Sequence, residues 1–291
     1  MNGPAVSERP LRVGAVATVL LPAAAAPAPL RDELRQVLPE PPRRVSRLIE
    51  LALLGAHRCL RGARPEPHCP LYLAVTHGCV ADAVSLVTTV SRGGLPMPVG
   101  FINLSSNMAG FYVASTLGIH GSNQSVAADD FAFEGALELA GLGREHRAQA
   151  LIGAVEECAW PLPEHRTRLA LAEDRALMEA SHWLFVDDNA ARPLATVQWV
   201  RRYADAATAQ RALSRERWPA GAQLALGARA RGSGAEWLGA TGLAPAVDEE
   251  AAHSGHWTAY RICRFIETRP APALLHVSAG VSGCYAVYVT T

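Results

Sequence analysis

The sequence predicts an α/β protein built around a central sheet, and three observations carry that reading. Leu71–Thr76 (LYLAVT) and Ala148–Val155 (AQALIGAV) are short, continuous apolar runs bounded by turn residues, as expected for strands buried on both faces. A strongly amphipathic helix follows Ser46. Between Ser105 and Val155 the order is helix, strand, sharp junction, helix, strand, which is the grammar of a layered α/β fold.

The remaining elements follow in order. Arg9 and Arg12 precede the apolar run Val13–Leu21, and Ala23–Ala26 come next, a pattern that imitates a secretory signal. A buried first strand closed by Pro22 is the favoured alternative. Residues 22–45, rich in Pro and Ala, read as a loop with one short helix at most. Ser46 caps a helix in which Leu48, Ile49, Leu51, Ala52, Leu53, His57 and Leu60 recur at helical spacing, and Pro65, Pro67 and Pro70 stop it. Asp82 opens a second apolar-periodic segment that ends near Val90, before Gly93 and Gly94. Pro96 and Pro98 fix an approach loop to a helix over Ser105–Leu117. Gln124–Ala127 is a strand, Asp129–Asp130 a tight junction and Phe131–Ala140 a helix ended by Gly141. Beyond Cys158 the expected elements are strands over Leu177–Asp187 and Leu194–Tyr203, a helix over Trp257–Glu267, and two closing strands, Leu274–Ser278 and Gly283–Val289. Residues 205–245 are Ala-, Gly- and Arg-rich with poor periodicity and receive no assignment. No internal repeat is visible.

Composition narrows the function classes. The 291 residues are 49% hydrophobic and 19% charged, enough apolar material for a large core. The 27 basic and 27 acidic side chains cancel, which removes the electrostatic case for nucleic acid or an anionic membrane surface. No stretch reaches the roughly 18–20 apolar residues that span a bilayer, and a cytoplasmic location is expected. The six cysteines (Cys59, Cys69, Cys79, Cys158, Cys263, Cys284) form neither CxxC pairs nor a Cys/His cluster of zinc spacing, so no metal and no other cofactor is expected.

Four segments together resemble the ketosynthase family. PVGFINLSSNMAGFYVASTLGIHG looks like its Pro-x-x-Phe and Asn-x-x-Ala-Gly segment. QSVAADDFAFEGALELA stands where the family places its strand, nucleophile elbow and following helix. HSGHWTAYR is similar to its Gly-His helix, and SAGVSGCYAVYV to its Gly-rich turn and last strand. The resemblance is good over about residues 70–160 and patchy afterwards. It implies a thiolase-like αβαβα layered fold in a single domain, residues 1–291, with an N-terminal half to about 180 and a shortened C-terminal half over 181–291.

Departures from the family pattern decide the functional expectation. The elbow cysteine, acylated in a ketosynthase because a thiolate at a helix N-terminus is nucleophilic, reads here as Asp130. No His-Gly-Thr block precedes His256, and the lysine expected five residues before it is Ala251. Of four catalytic positions only His256 survives. Loss of a nucleophile alone costs on the order of 10⁶ in turnover. In this the chain resembles the short ketosynthase-like subunits of aryl-polyene-type pathways and, more distantly, chain-length factors. That implies a non-catalytic subunit in a heterodimer with a cysteine-containing ketosynthase, served by an acyl carrier protein, in type II polyketide-like synthesis. Met108, Phe111 and Tyr112 are then candidates to face the partner's acyl tunnel. Ala109, Gly110 and Ala114, with Gln124 and Val126, are candidates for the interface.

Plainer readings stand beside these. Asp129 and Asp130 suit the N-terminus of a helix as caps. His256 reads as a structural hydrogen-bond donor and His77 as a strand-end residue. His253 with His256 lacks further ligands for a metal. Gly280 and Gly283 form either an anion nest or a plain turn. The rival functional expectation is a stand-alone acyltransferase or hydrolase using Cys158 or Asp130 with His256, although a buried thiol is the commoner role for Cys158. A third is a homodimeric scaffold that binds carrier proteins.

Overall fold

The structure, a computed structural model, describes residues 5–7, 9–23, 29–105, 107–143, 147–158, 161–168, 173, 176–246 and 257–291. The first half contains β1 (Ala5–Ser7), β2 (Leu11–Pro22), α1 (Arg31–Val37), α2 (Arg47–Leu60), β3 (Leu71–Val75), α3 (Val80–Ser91), α4 (Pro98–Asn103), α5 (Asn107–Leu117), β4 (Asn123–Ala127), α6 (Ala132–Leu142), β5 (Gln149–Glu156), α7 (Leu162–Arg168) and β6 (Met178–Asp187). The second half contains β7 (Ala195–Tyr203), α8 (Ala206–Leu213), β8 (Gln223–Leu226), a 3-10 turn (Ala228–Ser233), α9 (Gly234–Thr241), β9 (Ala244–Pro245), α10 (Trp257–Thr268), β10 (Ala273–Gly280) and β11 (Gly283–Thr290).

The apolar run at the N-terminus is a strand. β2 lies between β6 and β7 and pairs antiparallel with both, which places it mid-sheet. Ser46 caps α2 as expected, its Oγ accepting the Ile49 N–H at 3.3 Å. Pro98 opens α4 instead of sitting in a loop, which suits a residue whose missing N–H would be unpaired at a helix start anyway. The unassigned stretch 205–245 holds α8, β8, the 3-10 turn, α9 and β9. These elements are too short, at two to eight residues, to show a period.

Strand order exposes a duplication. The first half runs β4-β3-β5-β6-β2 and the second β9-β8-β10-β11-β7. In both halves the first two neighbour pairs are parallel and the next two antiparallel. By strand order, β6 completes the first half and the second begins with β7, so the two meet between Asp187 and Ala195. The second is compressed, with β8 and β9 cut to four and two residues.

Three apolar clusters separate the layers. α6 and α10 fill the middle, where Phe133, Leu137, Ile262 and Phe265 meet strands of both halves. α1, α2 and α5 cover the outer face of the first half, and α8 and α9 that of the second. The result is the αβαβα layering that the sequence led us to expect. Trp183 shows how closely the layers approach. A β-carbon on Gly153 of β5 would fall 2.6 Å from its ring, and one on Gly55 of α2 2.5 Å from it.

Candidate functional site

The parallel strands β3, β4 and β5 end on one side of the sheet, the side on which open α/β sheets carry their sites. β4 runs into Asp129 and Asp130, and the chain then turns sharply into α6. The turn concentrates its strain on one residue. Phe131, at the N-cap of α6, has φ +65° and ψ +20°, a left-handed conformation that is an outlier for a bulky side chain and costs about 1–3 kcal/mol. A strained strand-to-helix turn is the construction that presents a nucleophile in hydrolase elbows. Here it presents a phenyl ring, and the strain falls one residue beyond Asp130.

Neighbouring groups close the elbow. Arg229 of the 3-10 turn donates to Asp130 Oδ2 at 2.9 Å, and the Val281 N–H adds a bond at 3.3 Å. The Phe131 ring lies 5.0 Å from that of Tyr285, whose hydroxyl donates to Glu138 Oε2 at 2.7 Å. Burial, followed by that carboxylate, holds the Tyr285 phenol well above its usual range. Gly280 and Val281, at the β10–β11 turn, lie directly against this arrangement. The Gly280–Gly283 turn therefore closes on the Asp130 side chain and leaves no open anion nest.

One turn into α6, Glu134 is buried between the halves. It accepts from Ser278 Oγ at 2.5 Å and from Thr258 Oγ1 at 2.8 Å. Burial pushes its carboxyl up, and these bonds oppose the rise. His276 Nδ1 is 3.4 Å from Ser278 Oγ. Burial, with the positive field of Arg261 and Arg231, pulls its pKa down to about 3, so the ring is neutral. The network cross-links α6, α10 and β10, and no nucleophile is exposed in it.

The other expected residues fall as follows. Ala251, His253 and His256 lie outside the described residues. Cys158 follows β5, 3% exposed, and its thiol is pushed up to about 12 by burial and by Glu179, Glu156 and Glu157. A thiol held protonated is a poor nucleophile. All six cysteines are buried and none is in a disulfide. Ala109 and Gly110 point inward, and their small size is used within the chain, since a β-carbon on Gly110 would collide with Asn123 of β4. Met108, Tyr112 and Ala114 pack partly against the outer core. Phe111 is 54% exposed and touches Tyr112 edge-on, with ring centroids 5.6 Å apart. On β4, Gln124 is exposed and Val126 half-buried.

The strand order and orientation, repeated in both halves and enclosed in five layers, decide the fold. The chain has a thiolase-like fold, the fold of ketosynthases. Structural comparison agrees. The ishigamide ketosynthase/chain length factor is 19% identical, with a TM-score of 0.72, over 97% of this chain and 98% of that one. A type II PKS acyl-carrier protein in complex with its ketosynthase bound to the hexaketide gives 11% identity and a TM-score of 0.68, over 97% and 99%. A ketosynthase in complex with its chain length factor from Xenorhabdus doucetiae gives 10% and 0.53, over 92% and 84%. No protein-family model and no curated protein matches the sequence.

Within this ketosynthase-like fold, several residues escaped the sequence reading. Arg229 lies in the unassigned stretch, and Glu134, Tyr285 and Ser278 carry no local motif. His77 was visible but not its partner: its Nδ1 hydrogen-bonds Glu156 across the ends of β3 and β5. Among the described residues no group of three His, Cys, Asp or Glu side chains is placed to hold a metal, and no helix is long and apolar enough to cross a membrane.

Proposed function

We propose that this chain is a non-catalytic, chain-length-factor-like subunit. It pairs with a cysteine-bearing ketosynthase, and together they elongate an acyl chain carried by an acyl carrier protein in polyketide- or polyene-type synthesis. One observation carries the reading: the elbow is occupied by its own residues. Phe131 takes the strained position, and the Asp130 carboxylate is neutralised by Arg229. A carboxylate in an ion pair forms no exchangeable thioester, and a phenyl ring offers nothing to acylate.

Two features of the surface favour pairing. β4 is the last strand of the sheet path, so its outer edge is open to another strand among the described residues. In addition, α3, α4 and the loop between them expose Val87, Val90, Leu95, Met97, Phe101 and Ile102. Large apolar side chains exposed on two helices in contact mark an interaction surface. The complexes named above, of a ketosynthase with a chain length factor and of a ketosynthase with an acyl-carrier protein, show that the fold supports such assemblies. The rival enzyme reading has less support, because the Cys158 thiol is buried and protonated and Asp130 is paired.

Co-expression with a ketosynthase encoded in the neighbouring reading frame, followed by size-exclusion chromatography and a condensation assay, tests the proposal. A stable heterodimer in which only the partner becomes acylated is the expected outcome. A monomer indifferent to the ketosynthase, or an acyl adduct on this chain, would overturn it.

A further inference from the structure

A second polar centre lies away from the elbow, at the ends of β3 and β5. Glu156, the last residue of β5, is buried, and its two carboxylate oxygens are separately engaged. Oε1 takes His77 Nδ1, and Oε2 takes the Thr76 N–H at 3.2 Å. Nδ1 is thus committed to the Glu156 carboxyl group, and Nε2 is the remaining polar atom of the ring. Nε2 has no hydrogen-bond partner among the described residues. The ring lines a cavity of about 580 Å³ whose other walls include Cys79, Val80, Val84, Val87 and Leu104. The cavity is thus a largely apolar trough with one ring nitrogen held in a fixed orientation and the Thr88 hydroxyl in its wall, an arrangement that gives small-molecule sites both affinity and orientation.

The surroundings decide between chemistry and recognition. Cys79 is the nearest candidate nucleophile, but its thiol is pushed up to about 12 by burial and by Glu157 and Asp82. With no thiolate available, the His77–Glu156 pair has nothing in the trough to activate. Glu156, Glu157 and Asp82 also gather acidic groups at this end. Among the described residues no Lys or Arg side chain lines the trough, so an anionic ligand terminus finds no cationic partner there, whereas a neutral hydroxyl hydrogen-bonds with Nε2 and leaves no charge unpaired.

We propose that His77, held by Glu156, is a specificity-determining residue that binds a hydroxyl group at the inner end of a hydrocarbon chain lying along α3. The trough is continuous with the exposed apolar face of α3. The assignment of its occupant as the far end of an acyl chain therefore rests on the partner-subunit reading, while binding itself is a property of this chain alone. The walls supply the affinity, through apolar area removed from water. His77 supplies the discrimination between a hydroxyl-ended and a methyl-ended chain.

Isothermal titration of the purified chain with the N-acetylcysteamine thioesters of 8-hydroxyoctanoate and octanoate tests this directly. One net hydrogen bond gives the wild type a roughly five- to tenfold preference for the hydroxylated probe. In His77→Leu that preference disappears, with octanoyl binding unchanged or tighter, and His77→Gln, which keeps a hydrogen-bonding group, retains part of it. Val87→Trp, which fills the trough, weakens both probes. A thermal melt of each variant guards against misfolding, and the double variant His77→Leu/Glu156→Gln avoids stranding a buried carboxylate. Absence of saturable binding, or an unaltered preference in folded His77→Leu, overturns the proposal. Co-elution with the ketosynthase, scored separately, shows whether the partner reading fails independently.

Discussion

A β-carbon on Gly280 would stand 2.6 Å from Asp130 Oδ2 and 2.7 Å from Phe131 Cζ, so the β10–β11 turn and the elbow are shaped to each other. Gly280→Ala should therefore destabilise the protein by about 1–3 kcal/mol through overpacking. Pairing it with Asp130→Ala or Phe131→Ala should recover part of the loss, because contacting sites couple. Denaturant melts of the two single variants and the double complete the cycle. Strict additivity would show that the contact carries no energy.

The Asp130–Arg229 pair itself should count for little in stability. Arg229 is more than half exposed, and exposed pairs contribute at most about 1 kcal/mol. Asp130→Ala should leave the complex within a few-fold of wild-type activity. Intact-mass spectrometry after incubation with a thioester substrate should find no acyl group on this chain.

Association should depend on the apolar face of α3 and α4. Val87 and Phe101 are both exposed, so Val87→Asp and Phe101→Asp should leave the melting temperature of the isolated chain nearly unchanged. Co-elution with the ketosynthase should be lost. Obligate interfaces of this kind bury on the order of 2,000–5,000 Å² and tolerate unpaired charge poorly.

The three tunnel candidates separate by burial. Phe111 projects from α5, whereas Met108 and Tyr112 are partly buried against the outer core. Phe111→Ala should lengthen the product of the complex by one or more two-carbon units without loss of stability. Tyr112→Ala and Met108→Ala should cost roughly 1–2 kcal/mol, below the range for full burial, and leave product length unchanged. Unaltered product length in folded, paired Phe111→Ala would remove this residue from any gating role.

Stability should fall as pH rises from about 4.5 to about 8. Burial, then Asp82 and Glu156, raises the Glu157 carboxyl from its ordinary 4.5 to about 8, against the hydrogen bond from the Ala81 N–H at 2.8 Å. Between those values the folded protein holds a proton that the unfolded chain has released, so stability is full below 4.5 and declines as pH rises toward 8. Glu157→Gln still accepts the Ala81 N–H and should flatten the decline. It should match wild type near pH 5 and exceed it by about 1 kcal/mol or more at pH 8. Denaturant melts across that range provide the measurement.

Much of the architecture was legible because it is local. The apolar runs at β3 and β5, the Ser46 cap of α2 and the closing strands β10 and β11 announce themselves through period, caps and turn residues close together in the chain. The turn from β4 into α6 was legible too, as was the lack of a cysteine near Asp130. The strained residue of that turn was not, because a backbone dihedral at Phe131 is set by how β4 and α6 dock and not by side-chain identity.

The sequence by itself determined the fold class, most of the strands and helices, and the absence of a cysteine from the segment around Asp130. Only the tertiary structure decided what fills the site. Arg229 meets Asp130 across 99 positions, and Ser278 meets Glu134 across 144. It also revealed the duplication, because each half conserves strand order and direction while sharing no visible sequence repeat. The physical reason is common to all three. Hydrogen bonds, ion pairs and sheet order depend on distance in space, and chain folding brings together residues whose separation in sequence carries no periodic trace.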